Sequence, residues 1–151
     1  MSLKGRVSQI WEFQEYVAYR PAEVYTSVVG AYNLFNITGP VYITVLGGRV
    51  TAAAGGVTTI RLTVNTINVD AAAVAINGAV GTVFLSSLNV GGTLINAAGI
   101  PETVATQSRF LSGVQAAAVG VIAATFVTST WTGDIFCVYR KLAPTSAILV
   151  A

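Results

Sequence analysis

Short runs of alternating apolar and polar residues, separated by glycine and asparagine, fill the chain from about Tyr32 to its end. The run 57–64 alternates most clearly, with Ile60, Leu62 and Val64 on one side and threonines and an arginine on the other. A period of two residues is typical of a β-strand with one buried face. The pattern therefore predicts a strand whose three aliphatic residues point inward.

Similar runs predict further strands along the rest of the chain. In the run 40–46, Val41, Ile43 and Val45 share one face, and Gly47-Gly48 is predicted to end the strand. Valine, isoleucine and threonine dominate these runs, and their branched side chains suit a pleated, packed surface. The remaining predicted strands are 68–76, 81–88, 103–111, 120–130, 134–142 and 146–150. The fold class that follows is all-β, either a β-sandwich or a jelly-roll-like barrel of roughly seven to ten strands.

Residues 1–30 differ in character from the rest of the chain. They contain six charged residues and five aromatic residues, and Pro21 interrupts any regular element there. This composition predicts an extended N-terminal arm over residues 1–30 that leads into a β domain over residues 31–151.

The composition indicates that much of the surface is covered by partners. Hydrophobic residues make up 54% of the chain and charged residues 9%, whereas an average soluble domain has about 25% charged residues. We therefore expect a homo-oligomer whose contacts use large apolar side chains. The candidate interface residues are Trp11, Phe13, Tyr16, Tyr19, Trp131, Tyr139, Ile148 and Leu149. The alternative for the aromatic residues of the arm is that they cover the core of their own chain.

Several functional classes find no support in the residues. The net charge is +2 and the basic residues are scattered, so no nucleic-acid surface is expected. No stretch of about twenty unbroken apolar residues predicts a membrane span. The chain lacks histidine, and its six acidic residues form no calcium-loop pattern, so we expect no catalytic residues, no metal site and no cofactor. Cys137 is the only cysteine, and its apolar surroundings predict a buried, unreactive thiol.

Two segments resemble small structural proteins of tailed phages. The segment 34–51, LFNITGPVYITVLGGRVT, is similar to the pattern LFxVTG-x-V-x-(I/V)-x-x-L-x-G-x-V-T that opens the β domain in such proteins. The segment 132–144, TGDIFCVYRKLAP, is similar to their closing segment TGxIxxxxxYxPL. This chain departs from the closing pattern because Arg140-Lys141-Leu142 stands between the tyrosine and the proline.

The resemblance implies a non-enzymatic virion protein, and the form we expect is a capsid decoration protein. Its partners would be copies of itself, in a trimer suited to threefold positions of an icosahedral shell, and the major capsid protein or other virion proteins. A tail, baseplate or receptor-binding fibre module is one alternative. A shell-forming coat protein is another.

Overall fold

The structure is a computed structural model that describes residues 14–26, 31–52, 58–69, 74–76, 79–86, 88, 95–97, 114–116, 119–127 and 130–151. Within these residues the chain forms twelve β-strands in two antiparallel sheets that pack as a sandwich. The prediction of an all-β sandwich is confirmed. The described strands make two open sheets and no closed barrel, and they number twelve where seven to ten were expected.

Sheet A contains three long, neighbouring strands and three short ones. Its strands, in spatial order, are β1 (Glu15–Tyr25), β11 (Trp131–Lys141), β3 (Val41–Ala52), β7 (Val83–Leu85) and β8 (Ile95–Ala97). A further strand, β9 (Val114–Ala116), pairs with the beginning of β3. Strand β11 pairs with β1 on one side and with β3 on the other, so these three strands form the main surface of the sheet.

Sheet B covers the other side of the core. Its strands, in spatial order, are β12 (Ile148–Val150), β2 (Tyr32–Ile37), β10 (Gly120–Val127), β4 (Thr58–Val64) and β5 (Ile67–Asn68), and β6 (Val74–Ile76) also pairs with β4. In β4, Ile60, Leu62 and Val64 are buried, which confirms the predicted inward face. Asn65 and Thr66 join β4 to β5 and both have positive φ, as a two-residue type I′ hairpin turn requires.

Aromatic rings from both sheets meet in the core. The ring of Tyr25 from sheet A stacks on Trp131 at 4.9 Å between centroids and lies 4.8 Å from the ring of Phe126, which belongs to sheet B. Phe84 and Tyr32 complete the cluster with edge-on contacts. Aromatic pairs contribute about 0.5–1.5 kcal/mol beyond the area that they bury, so this cluster helps to hold the two sheets together.

A bulge in β3 changes which of its residues point inward. The register of β3 against β11 shifts by one residue at Thr44. An extra residue in one strand reverses the alternation that follows it. Val41 and Ile43 are buried as predicted, but the next buried residue is Leu46, whereas Val45 is partly exposed. The prediction that Val45 shares the inward face is therefore wrong.

Strand β3 also continues through Gly47-Gly48, where the sequence predicts that it ends. A Cβ atom on Gly47 would collide with the carbonyl oxygen of Phe84, and one on Gly48 would lie 2.5 Å from Cζ of Phe84 and 2.5 Å from the carbonyl oxygen of Asp134. The two glycines therefore allow β7, β11 and the Phe84 ring to approach β3 closely, which is one recognised use of glycine inside a strand.

The segment assigned to an arm contains a strand of the sandwich. Strand β1 is antiparallel to β11 and supplies Tyr25 to the core, with a register shift between Arg20 and Glu23. The assignment of Glu15–Tyr25 to an arm outside the β domain is thus corrected. Pro21 is accommodated because it lies in this irregularity, in a strand at the edge of the sheet. Residues 1–13 of the predicted arm lie outside the described residues.

Candidate interaction surface

The outer face of sheet A, which points away from the core, is apolar across its middle. The strand register arranges its residues in four cross-strand rows. Row 1 is Glu15, Arg140 and Tyr42; row 2 is Val17, Val138 and Val45; row 3 is Tyr19, Phe136, Gly47 and Leu85; row 4 is Asp134, Arg49 and Val83. We define the apolar band as the large side chains of rows 2 and 3. Within the band, Val17 is 66% exposed and Tyr19 is 49% exposed, and the other side chains are partly exposed.

The band exists because its strands are apolar on both faces. In β11, Ile135, Cys137 and Tyr139 point into the core, while Phe136 and Val138 between them point outward. A strand with one solvated face normally alternates between apolar and polar residues. A continuous apolar run is typical of a strand that is covered on both sides, so this strand has the composition of one with a covered outer face.

Charged residues flank the band at both ends. In row 1 the Arg140 guanidinium donates to Glu15 at 3.2 Å. In row 4 the Arg49 guanidinium donates to Asp134 at 2.6 and 3.2 Å, and the Asp134 carboxylate is almost fully covered. Desolvation and the neighbouring Asp134 carboxylate raise the pKa of the Tyr19 phenol. An apolar centre with a polar rim is the usual anatomy of a protein–protein interface.

The outer face of sheet B is more polar. It carries Asn33, Asn36, Thr59, Arg61, Thr63 and Thr125, with Val121 and Leu149 among them. At the end of this face, the β4–β5 hairpin and the start of β10 border a shallow groove of about 660 Å³. The amide oxygen of Asn65 accepts a hydrogen bond from the Val121 backbone at 3.0 Å and fixes the hairpin against β10. The groove is lined by uncharged residues, chiefly alanine, valine, asparagine and threonine.

The structure separates the predicted interface residues into three groups. Tyr19 and Leu149 are exposed, Tyr19 within the apolar band and Leu149 on sheet B. Tyr16 is partly buried, stacks on Tyr139 at 5.7 Å and lies beneath the Lys141 ammonium at 4.5 Å. It therefore packs against its own chain.

The third group belongs to the core. Trp131, Tyr139 and Ile148 are each at most 5% exposed. Their assignment as interface residues is corrected, because a side chain enclosed by its own sandwich has no surface left for another chain. Trp11 and Phe13 lie outside the described residues.

Sequence reasoning missed most of the apolar band. Val17, Leu85, Phe136 and Val138 were not among the candidates, although the run 135–139 has no polar residue and thus carries the signal of a strand covered on both faces. The sequence could not show which apolar residues of such a run point outward. That choice depends on the register with β1 and β3.

Cys137 is fully buried, and burial raises the pKa of its thiol, which keeps it in the less reactive protonated form. Within the part of the chain that the structure describes, no three cysteine, aspartate or glutamate side chains cluster as metal ligands. No helix in that part is long and apolar enough to cross a membrane. Comparison with protein-family models, curated proteins and solved structures finds no match for this chain.

Proposed function

We propose that this chain is a structural protein of a tailed-phage particle, acting as a capsid decoration protein that packs on the head and on copies of itself. The observation that carries the proposal is the apolar outer face of sheet A. Contiguous exposed apolar surface at this scale marks interaction sites in soluble proteins. Support also comes from the charge content of 9%, which suits a protein whose surface is largely covered in its assembly.

The energetics of the band suit assembly. Four rows across four strands cover about 500 Å², given about 4.8 Å between strands and about 6.7 Å between rows. The apolar rows 2 and 3 are about half of this area, so at about 25 cal/mol per Å² of apolar surface covering them gives about 6 kcal/mol before the cost of association is subtracted. One face therefore gives a contact of moderate strength. Repetition of this contact over a shell would convert moderate pairwise affinity into stable attachment.

The proposal that the particle is a tailed phage rests on the resemblance of segments 34–51 and 132–144 to phage structural proteins. The first segment contains most of β2 and all of β3 except Ala52, and the second contains all of β11 except Trp131. Both segments thus supply strands that form the apolar band. The proposal treats the motifs as the framework of a contact face, with no catalytic role.

Quantitative mass spectrometry of purified virions tests the proposal. The measurement compares peptides of this chain with peptides of the major capsid protein, in the phage whose genome encodes both. A decoration protein should be present at hundreds of copies per particle. A few dozen copies or fewer would assign the chain to the tail, baseplate or fibre. Complete absence from virions would overturn the proposal.

Expression of the chain alone separates decoration from shell formation. A decoration protein should remain as small oligomers, because it needs a preformed lattice on which to dock. Closed particles seen by electron microscopy would instead identify a shell-forming coat protein.

A further inference from the structure

The four rows on the outer face of sheet A are symmetric about their centre. Charged residues lie in rows 1 and 4, and large apolar residues lie in rows 2 and 3. A two-fold axis that lies in the plane of the face, perpendicular to the strands, would exchange row 1 with row 4 and row 2 with row 3. Apolar rows then meet apolar rows, and charged rows meet charged rows.

We infer that a second copy of this chain occupies the outer face of sheet A, with the strands of the two copies antiparallel across such an axis. The inference rests on the proposed function only in treating this face as a contact surface. A two-fold interface must match itself, since residue i contacts residue j and j contacts i. Two copies of one sheet have the same twist, and sheets with the same twist pack face to face about 10 Å apart.

The charges favour the antiparallel arrangement over a parallel one. Arg49 in row 4 is the more exposed member of its ion pair, at 56%, whereas Asp134 is covered. Glu15 in row 1 is 48% exposed. An axis parallel to the strands and running along β11 would place Arg140 over Arg140 and Asp134 over Asp134, so that like charges meet. The perpendicular axis instead places each strand over the same strand of the partner, so that Asp134 of one copy lies over Arg140 of the other on β11 and Arg49 lies over Tyr42 on β3.

The area predicts a dimer of moderate affinity. About 500 Å² on each copy gives about 1,000 Å² in total, which is near the lower limit for a specific interface. Dissociation should therefore be measurable at accessible concentrations. A face-to-face contact covers the whole band of both copies and leaves none of it for a third copy. The expected oligomer is therefore a dimer, in place of the trimer expected from the sequence.

The first experiment measures mass by light scattering across a dilution series of the full chain. The wild-type chain should approach twice 15.6 kDa at high concentration and 15.6 kDa on dilution. Val17→Lys places a charge within row 2 of the contact and should raise the dissociation constant at least tenfold. The matched control is Val119→Lys, because Val119 is 74% exposed and lies on the groove beside sheet B. The control should behave like the wild type. A wild-type monomer at every concentration, a trimer, or equal effects of the two variants would overturn the inference.

The second experiment tests the orientation with a short bis-maleimide cross-linker. Across the perpendicular axis Val17 lies over the partner's row 3 on β1, so a Val17→Cys chain mixed with a Tyr19→Cys chain should give cross-linked heterodimers. Across a parallel axis that runs along β11, Val17 would lie over row 2 on β3, and the efficient partner would be a Val45→Cys chain. Cys137 is buried and should not compete. Preferential cross-linking to Val45→Cys would refute the antiparallel arrangement.

These outcomes separate the inference from the proposed function. A chain that dimerises through the band but is absent from virions keeps the inference and refutes the proposed function. A chain that is abundant in virions but monomeric in solution, with Val17→Lys without effect on its mass, refutes the inference and leaves the proposed function in place.

Discussion

Arg20 connects the two sheets at the edge of the sandwich. It projects from β1 in sheet A, and one of its terminal nitrogens donates to the carbonyl oxygens of Asn33, Leu34 and Ala151 on the sheet B side, at 3.2, 3.0 and 3.3 Å. The same guanidinium pairs with Glu23. An inward-pointing charge also discourages further strands from adding to an edge strand such as β1.

Replacing Arg20 should therefore destabilise the fold. We expect Arg20→Ala to lower the free energy of unfolding by about 2 kcal/mol, because charged donors to carbonyls are removed at a partly buried site. The control is Arg140→Ala, which removes an exposed ion pair worth at most about 1 kcal/mol. Urea denaturation of both variants measures the difference. Equal losses would show that Arg20 does not join the sheets.

The Arg20–Glu23 pair also predicts a dependence of stability on pH. The hydrogen bond from Arg20 lowers the pKa of Glu23 below its usual value. A carboxyl group with a lowered pKa stabilises the fold above its unfolded pKa of about 4.3, and this contribution is lost as the pH falls through the lower folded pKa. Glu23→Gln should thus cost up to about 1 kcal/mol at pH 7, since the carboxylate is partly solvated, and nothing at a pH below the folded pKa. Denaturation at both pH values tests this, and a cost that persists in acid would contradict it.

Cys137 should report on global unfolding. Its side chain is enclosed in the core, and burial raises the pKa of its thiol. We expect no reaction with iodoacetamide at pH 8 in the native state and rapid reaction in urea. Mass spectrometry after timed exposure measures the modification. Fast labelling of the native chain would mean that β11 opens locally.

At the scale of elements, β1 is the strand that was hardest to predict from the sequence. Its inward positions include Arg20 and Glu23, so its apolar alternation fails, and Pro21 normally argues against a strand. Tertiary contacts override these signals, because the charges pair with each other, Arg20 also bonds to carbonyls of sheet B, and the proline lies in the register shift. Such pairings cannot be read from a single sequence.

Deletion tests whether β1 belongs to the fold. Removing residues 2–25 eliminates the strand that pairs with β11 and removes Tyr25 from the aromatic cluster, so we expect an unfolded or aggregated product. Removing residues 2–13 is the control, because it leaves every contact described above in place, and that product should fold. Circular dichroism and thermal melts measure both. A cooperatively folded 26–151 chain would restore the boundary near residue 30 that the sequence predicts.

Other elements differ in how well the sequence predicts them, for physical reasons. Strand β4 alternates without interruption and was predicted with its inward residues. Strand β3 was predicted only up to Gly47, because its bulge and its glycines are explained by neighbours that lie far away in the sequence. In β11 the predicted run 134–142 covers most of the observed strand, but its two apolar faces could not be assigned to core and surface.

At the scale of the whole molecule, the two outer faces of the sandwich differ. Sheet B presents mainly amides and hydroxyls, whereas sheet A presents the apolar band between two ion pairs. The low charge content predicts a surface covered by partners, which stays a prediction, and Tyr19, one of the predicted interface residues, lies within the band. The other residues of the band can be identified only from the pairing of β1, β11 and β3, because this pairing brings together residues that are more than a hundred positions apart in the sequence.

In the proposed assembly, the outer face of sheet A is covered in the particle. Hydroxyl-radical footprinting of purified virions, compared with the free chain diluted to its monomer, measures this directly. We predict that labelling of Tyr19 and Phe136 falls severalfold in virions, while Ile67, which is exposed on the β4–β5 hairpin, stays closer to its level in the free chain. Equal labelling of Tyr19 and Phe136 in the virion and in the free monomer would contradict the account.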